Sequence, residues 1–327
     1  MLKRQLVLVA IDHATDVERT MEAALGTARA RGADVHVIQV VPHRAVHVDD
    51  RADPWPFEPH DNRSVAIGAR PASMPRSADR DGVRVRRVTL RGEPAHVIPA
   101  WAQLHEASVL VVERDYGSSR FWRTGRVVDA MARRSPIPLL VLPSRRRGER
   151  DESAPRRILT PVDFSVASAV ALRTAVELAR RHGARITLLH TLHDVHRHMT
   201  FSGGGAWEVI RRLPARKEAA AQRLRRKAAL FGADHVDTEV ATGLADGAIL
   251  EIARRSDPDL IVMGSAHRSW LDRVLFGSTL RRVLRRATVP VLVVPVVAGA
   301  HMWPNEHPAD QPGSREWSDS ASGRVAA

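Results

Sequence analysis

The 327 residues contain no cysteine, one tyrosine and only 4% aromatic residues. Without cysteine there are no disulfides, thiolate metal sites or cysteine nucleophiles. Lysine is nearly absent too, occurring at Lys3, Lys217 and Lys227, so the 50 basic residues are almost all arginine. No apolar run reaches the ~18 residues of a membrane span, and the longest candidate, Thr288 to Ala300, is broken by Pro290 and Pro295. The opening MLKRQLVLVAID has basic residues ahead of an apolar run, but the run stops at Asp12, short of a secretory core. A cytoplasmic protein without membrane contact is expected. At ~150 residues per domain the length calls for about two domains, and the net charge of +13 favours anionic partners without naming one.

What is present is a repeat. Val9-Ala10-Ile11-Asp12 reappears as Thr160-Pro161-Val162-Asp163, an offset of 151 that also carries Gly32-Ala33 onto Gly183-Ala184 and Gly92 onto Gly243. The offset becomes 152 for Gly125 and Gly277, Pro138 and Pro290, and Pro143 and Pro295. A register kept this long indicates a duplicated domain rather than a solenoid of short repeats. The expected layout is a first domain over 1–143, a linker over 144–155, a second domain over 156–297 and a disordered tail over 298–327.

In the second copy, strands are expected at Ile158 to Val162, Arg185 to Leu192, Val236 to Ala241, Leu260 to Met263 and Val289 to Val294. Between them fall helices from Asp163 to Gly183, from about Pro214 to Leu230, from Asp246 to Arg255, and from Ser278. Apolar strands alternating with amphipathic helices give an α/β fold: two tandem doubly wound, five-stranded parallel-sheet domains of Rossmann-like type. The first copy reads as degenerate. It keeps strands one, two, four and five, while the proline-rich stretch 42–80 replaces its second helix. Ligands of such sheets bind at the carboxyl ends of the strands where the winding reverses, which points to Asp163 and the loop after Met263.

That loop reads Gly264-Ser265-Ala266-His267-Arg268, then Gly277-Ser278-Thr279 at the head of a helix. Glycine lets backbone approach an anion, and a helix N-terminus offers unpaired N–H groups, so the pattern suits a triphosphate. It equally suits a strand end followed by a helix cap.

Pro161-Val162-Asp163-Phe164-Ser165, Leu188-Leu189-His190, Asp259-Leu260-Ile261-Val262-Met263-Gly264 and Gly277-Ser278 followed by Val289-Pro290-Val291-Leu292-Val293-Val294 together resemble the universal stress proteins, here as a tandem pair. The resemblance implies a stress-adaptation module that binds and regulates rather than an enzyme, with slow ATP hydrolysis left open and no catalytic residue identified. ATP-binding members are similar in a G-x2-G-x9-G-[ST] loop. Here the spacing is Gly264-x2-His267-x9-Gly277-Ser278, with histidine in the second glycine's place. Its side chain either obstructs the phosphates or, with Arg268, donates to them. By similarity, Val162 and Asp163 would hold the adenine edge, Gly264 the ribose-phosphate region, and Gly277, Ser278 and Thr279 the phosphates. The first copy has Glu113-Arg114-Asp115 at the loop and Arg126 in place of Ser278, and two acids would repel a triphosphate, so it is expected to hold no nucleotide. The resemblance also implies that Leu139 to Leu142 pairs with Val291 to Val294, making a pseudo-dimer within one chain; a homodimer of chains stays open.

Two other signals compete. His190, His193, His196 and His198 cluster in sequence, but the expectation is no metal, since ligands must converge and be supported. Residues 211–227 carry eight basic residues and one acidic, with Arg212, Arg216, Arg223 and Lys227 within about 60° on a helical wheel. A solvated helix face is expected there, with nucleic-acid binding as the rival to a nucleotide module or a nucleotide-free scaffold.

Overall fold

A computed structural model describes residues 5–12, 15–41, 82–114, 126–144, 154–192, 206–232, 236–265 and 278–296. The first half contains β1 (Leu6–Ala10), α1 (Val17–Arg31), β2 (Asp34–Val41), β3 (Val85–Arg91), α2 (Pro94–Leu104), β4 (Val109–Glu113), α3 (Arg126–Arg134) and β5 (Leu139–Leu142). The second contains β6 (Arg157–Pro161), α4 (Val166–His182), β7 (Arg185–Leu192), α5 (Ala206–Ala229), β8 (Val236–Thr242), α6 (Ala245–Ser256), β9 (Leu260–Ser265), α7 (Ser278–Arg286) and β10 (Val291–Pro295). Helices α1 and α4 end alike, at Gly32 (φ 60°) and Gly183 (φ 66°), because only the left-handed conformation turns the chain back into the next strand.

Among the described residues ten strands join one sheet in the order β3-β2-β1-β4-β5-β10-β9-β6-β7-β8. Each half repeats the same doubly wound order, and the winding reverses beside β1 and β6, which pair with β4 and β9. The junction is antiparallel: Val291 lies opposite Val141, Leu292 opposite Leu140 and Val293 opposite Leu139. Two open edges are thereby paired. Alternation along β5 and β10 sends Leu139, Val141, Val291 and Val293 into the layer under α2, α3, α6 and α7, and Leu140, Leu142, Leu292 and Val294 into the layer under α1 and α4. Both cores therefore run through the junction. Asp129 on α3, 6% exposed, pairs with Arg285 on α7 at 2.6 Å, and Arg114 donates to the Ala287 carbonyl at 2.9 Å, fastening the halves on one face.

Three expectations change. The first half has a third strand, β3, in full register with β2; its arginines at 86, 87 and 91 hid the alternation, because an edge strand needs only one apolar face. Helix α5 begins at Ala206, not near Pro214, which lies inside it. Pro214 is exposed, so water can take the hydrogen bond its ring removes. The basic stripe also divides. Lys227 is buried and the Arg223 guanidinium lies 3.9 Å above the Phe164 ring, so these two pack inward while Arg212 stays on the outer face.

In the first half His36 of β2, Trp101 of α2 and His105 form one ring cluster, with Trp101 and His105 at 4.0 Å between centroids. Burial first, then Arg86 and His105, lower the His36 pKa; burial, then Arg181 and Arg31, lower that of His182. The unfolded chain therefore takes up protons near pH 6.5 that the folded chain refuses, so stability is full above that value and falls as pH drops below it. Thermal unfolding at pH 7.5 and pH 5 should show the lower melting temperature in acid, with the drop reduced in His36→Gln. An equal drop in both proteins would remove His36 from the account.

Candidate functional site

The chain leaves β6 through Val162-Asp163-Phe164-Ser165 and enters α4. Ser165 caps that helix, its hydroxyl accepting from the Ser168 N–H at 3.2 Å. Asp163 orders the turn from outside: its Oδ1 accepts from the Ser165 N–H at 3.0 Å and from the Ser165 hydroxyl at 2.5 Å. Asp163 is exposed, and among the described residues Oδ2 has no hydrogen-bond partner. A carboxylate oxygen thus remains at the mouth of the winding reversal.

Around this turn lies a group of side chains that the sequence pattern did not bring together. Phe164 adopts a positive φ of 63°, uncommon for a residue with a Cβ. Its ring lies 4.7 Å from that of His190 at the end of β7, with Arg223 of α5 on its face. The contact is a cation–π pair between elements 59 residues apart in sequence numbering. His190 Nδ1 stands 2.7 Å from the Val162 carbonyl. A carbonyl only accepts, so Nδ1 carries the proton and the tautomer is set. The Val162 N–H is also committed, to the Leu189 carbonyl at 2.8 Å. Of the two residues expected at an adenine edge, Asp163 retains polar capacity and Val162 supplies a buried wall.

Gly264, in β9, faces the start of α4. A Cβ there would lie inside the envelope of the Ala167 carbonyl and within 2.9 Å of Ala167 Cα. Strand end and helix start therefore meet backbone to backbone. Ser278 and Thr279 form the first turn of α7, Ser278 exposed and Thr279 partly so. The chain enters α7 from the carboxyl end of β9, so this turn and Asp163 lie at the same end of the parallel strands, on opposite faces of the sheet. His267, Arg268 and Gly277, and likewise His193, His196 and His198, lie outside the described residues. Among the described residues no three His, Cys, Asp or Glu side chains converge as metal ligands.

The first half fills the corresponding place with its own side chains. Glu113, the positional counterpart of Gly264, is 3% exposed, and its Oε2 accepts from the Asp16 N–H at the head of α1 at 2.7 Å. Asp12, the counterpart of Asp163, accepts from the Thr15 hydroxyl at 2.8 Å while its own N–H donates back at 3.0 Å. Helix α1 starts at Val17, two residues later than α4 does relative to the repeat, which leaves room for the Glu113 side chain. An internal carboxylate occupies the helix N-terminus in one half; bare glycine backbone faces it in the other.

A sequence model described as the universal stress protein family matches residues 3–143 and again 155–295. A universal stress protein of Methanocaldococcus jannaschii is 31% identical over 144 residues, 44% of this chain and 84% of its own length. The stress response protein NhaX of Bacillus subtilis is 27% identical over 161 residues, 42% of this chain and 96% of its own length. Among solved structures, a universal stress protein from Archaeoglobus fulgidus aligns over 89% of this chain and 96% of its own, with a TM-score of 0.58 at 17% identity, a likeness of fold. Among the described residues no helix is long and apolar enough to cross a membrane.

Proposed function

Because the chain belongs to the universal stress protein family, as a tandem repeat, we propose that it is a stress-response binding module in which the second half alone takes an adenine nucleotide. The division we adopt is 1–143 and 156–297, joined by 144–155 and followed by a tail over 298–327.

The observation that carries the reading is the asymmetry between Glu113 and Gly264. A carboxylate at the end of β4 neutralises the head of α1 and would repel a phosphate, so the first half is closed. At Gly264 no side chain intervenes, Asp163 keeps one oxygen for an exocyclic amine, and the Ser278-Thr279 turn offers N–H and hydroxyl donors. His267, in the place of the second loop glycine, and Arg268 beside it would supply side-chain donors to the phosphates. The module binds rather than reacts: Ser165, the hydroxyl beside Asp163, is already spent on capping α4 and donating to that carboxylate.

Calorimetric titration of the purified full chain with ATP and with ADP should give one site per chain. Asp163→Ala should weaken it tenfold or more, and Glu113→Gln, in the closed half, should leave the stoichiometry at one. Absence of heat with both nucleotides would sink the reading in favour of a nucleotide-free scaffold.

A further inference from the structure

A cleft of about 70 Å³, open to solvent, lies between the carboxyl ends of α1 and α4, above the β5–β10 junction. None of the residues assigned to the nucleotide line it. Its walls are related by the repeat: Arg31 corresponds to His182, Ala30 to Arg181, and Leu140 to Leu292, the last two also facing each other across the junction. The cleft therefore exists only because two copies meet.

The floor is apolar, made by Leu140, Leu292, Val109 and Leu260. Its rim is cationic. Arg31 is half-buried, and among the described residues neither Arg31 nor Arg181 has a hydrogen bond or ion pair. Burial and then the nearby Arg181 pull the Arg31 pKa down, with only Glu177 opposing. Asp259 also lines the cleft, but its Oδ2 is held by the N–H groups of Arg156 and Arg157 at 2.9 Å, and Arg157 pairs with it. Two guanidinium groups, one half-buried and one exposed, thus border one apolar recess. Arg31 is partly desolvated here, with Glu177 opposing, and an anion with an apolar body would meet both the guanidinium rim and the apolar floor.

We propose that this cleft binds a small amphipathic carboxylate, its anionic end between Arg31 and Arg181 and its hydrocarbon body on Leu140 and Leu292. Planar guanidinium groups suit a carboxylate, and the floor gives a hydrocarbon chain a surface to leave water for.

Calorimetric titration of the full chain with sodium octanoate, octanamide and acetate separates the two requirements. Octanoate should bind once per chain; octanamide, lacking the charge, and acetate, lacking the chain, should each bind at least tenfold more weakly. Arg31→Gln and Arg181→Gln should each weaken octanoate tenfold or more while leaving the ATP titration unchanged. Arg31→Gln should also melt no lower than the parent, since it removes a half-buried cation. Arg181 is exposed, so its variant keeps the test sound if the other misfolds. No saturable octanoate binding, equal affinity for octanamide, or unchanged affinity in both variants would overturn the proposal. None of these outcomes bears on the nucleotide site.

Discussion

Gly264→Ala is expected to lower the melting temperature by roughly 6–12 °C. The new Cβ would press on the backbone of Ala167, which, unlike the far end of a side chain, cannot swing aside. Overpacking of this kind costs on the order of 3 kcal/mol, and each kcal/mol corresponds to about 2–4 °C at this domain size. The cost is steric alone, since Gly264 is not among the positive-φ glycines. Calorimetric or circular-dichroism melting of the variant beside Ser278→Ala, on an exposed turn, checks it. A Gly264→Ala protein that melts within 1 °C of the parent would show that β9 and α4 do not approach this closely. The same backbone meeting sets the mouth of the proposed nucleotide site, so the variant should also lose nucleotide affinity.

Leu139→Ala should have the second large effect. Leu139 is fully buried, lies opposite Val293 across the β5–β10 junction and belongs to a core containing side chains from both halves. Truncating a buried leucine costs about 2–5 kcal/mol, depending on how far the cavity closes, and packing on both sides of the sheet limits closure here. Because both cores continue through the junction, the chain should unfold in one transition and the whole of it should shift. Two separate transitions, one of them unmoved, would show that the halves are independent domains held only by covalent connection.

The two halves of the sheet share one plan but differ in the side chains at their strand ends. Glu113 and Gly264 stand at equivalent strand ends, yet one fills a helix N-terminus with a carboxylate and the other leaves it faced by backbone. Duplication supplies two frames, and in the proposed reading the Glu113 side chain closes one of them. The interdomain cleft is the converse case: neither copy carries it alone.

Much of this was readable in the chain. The repeat offset, the apolar strand runs and the Gly183 helix stop carry their physics locally, so β7, α4 and α6 fall where periodicity puts them, while the pairing of β5 with β10 was implied by the family resemblance. Strand β3 was hidden because an edge strand with one solvated face tolerates Arg86 and Arg87. Helix α5 starts ahead of Pro214 because a proline that suits a first helical turn is also tolerated on the exposed side of a longer helix. The stripe of Arg223 and Lys227 looked solvated because a helical wheel records angle and not what packs against it.

The sequence by itself determined the duplication, the parallel α/β class and the candidate pair Asp163 and Gly264, since each depends on spacing or on residue chemistry within one segment. Only the tertiary structure decided what those residues meet. That Gly264 abuts Ala167, that Arg223 covers Phe164 beside His190, that Glu113 seals α1 and that Arg31 and Arg181 share a recess are contacts between segments distant along the chain. Their energies depend on separations of a few ångströms, and no periodicity in one dimension encodes those.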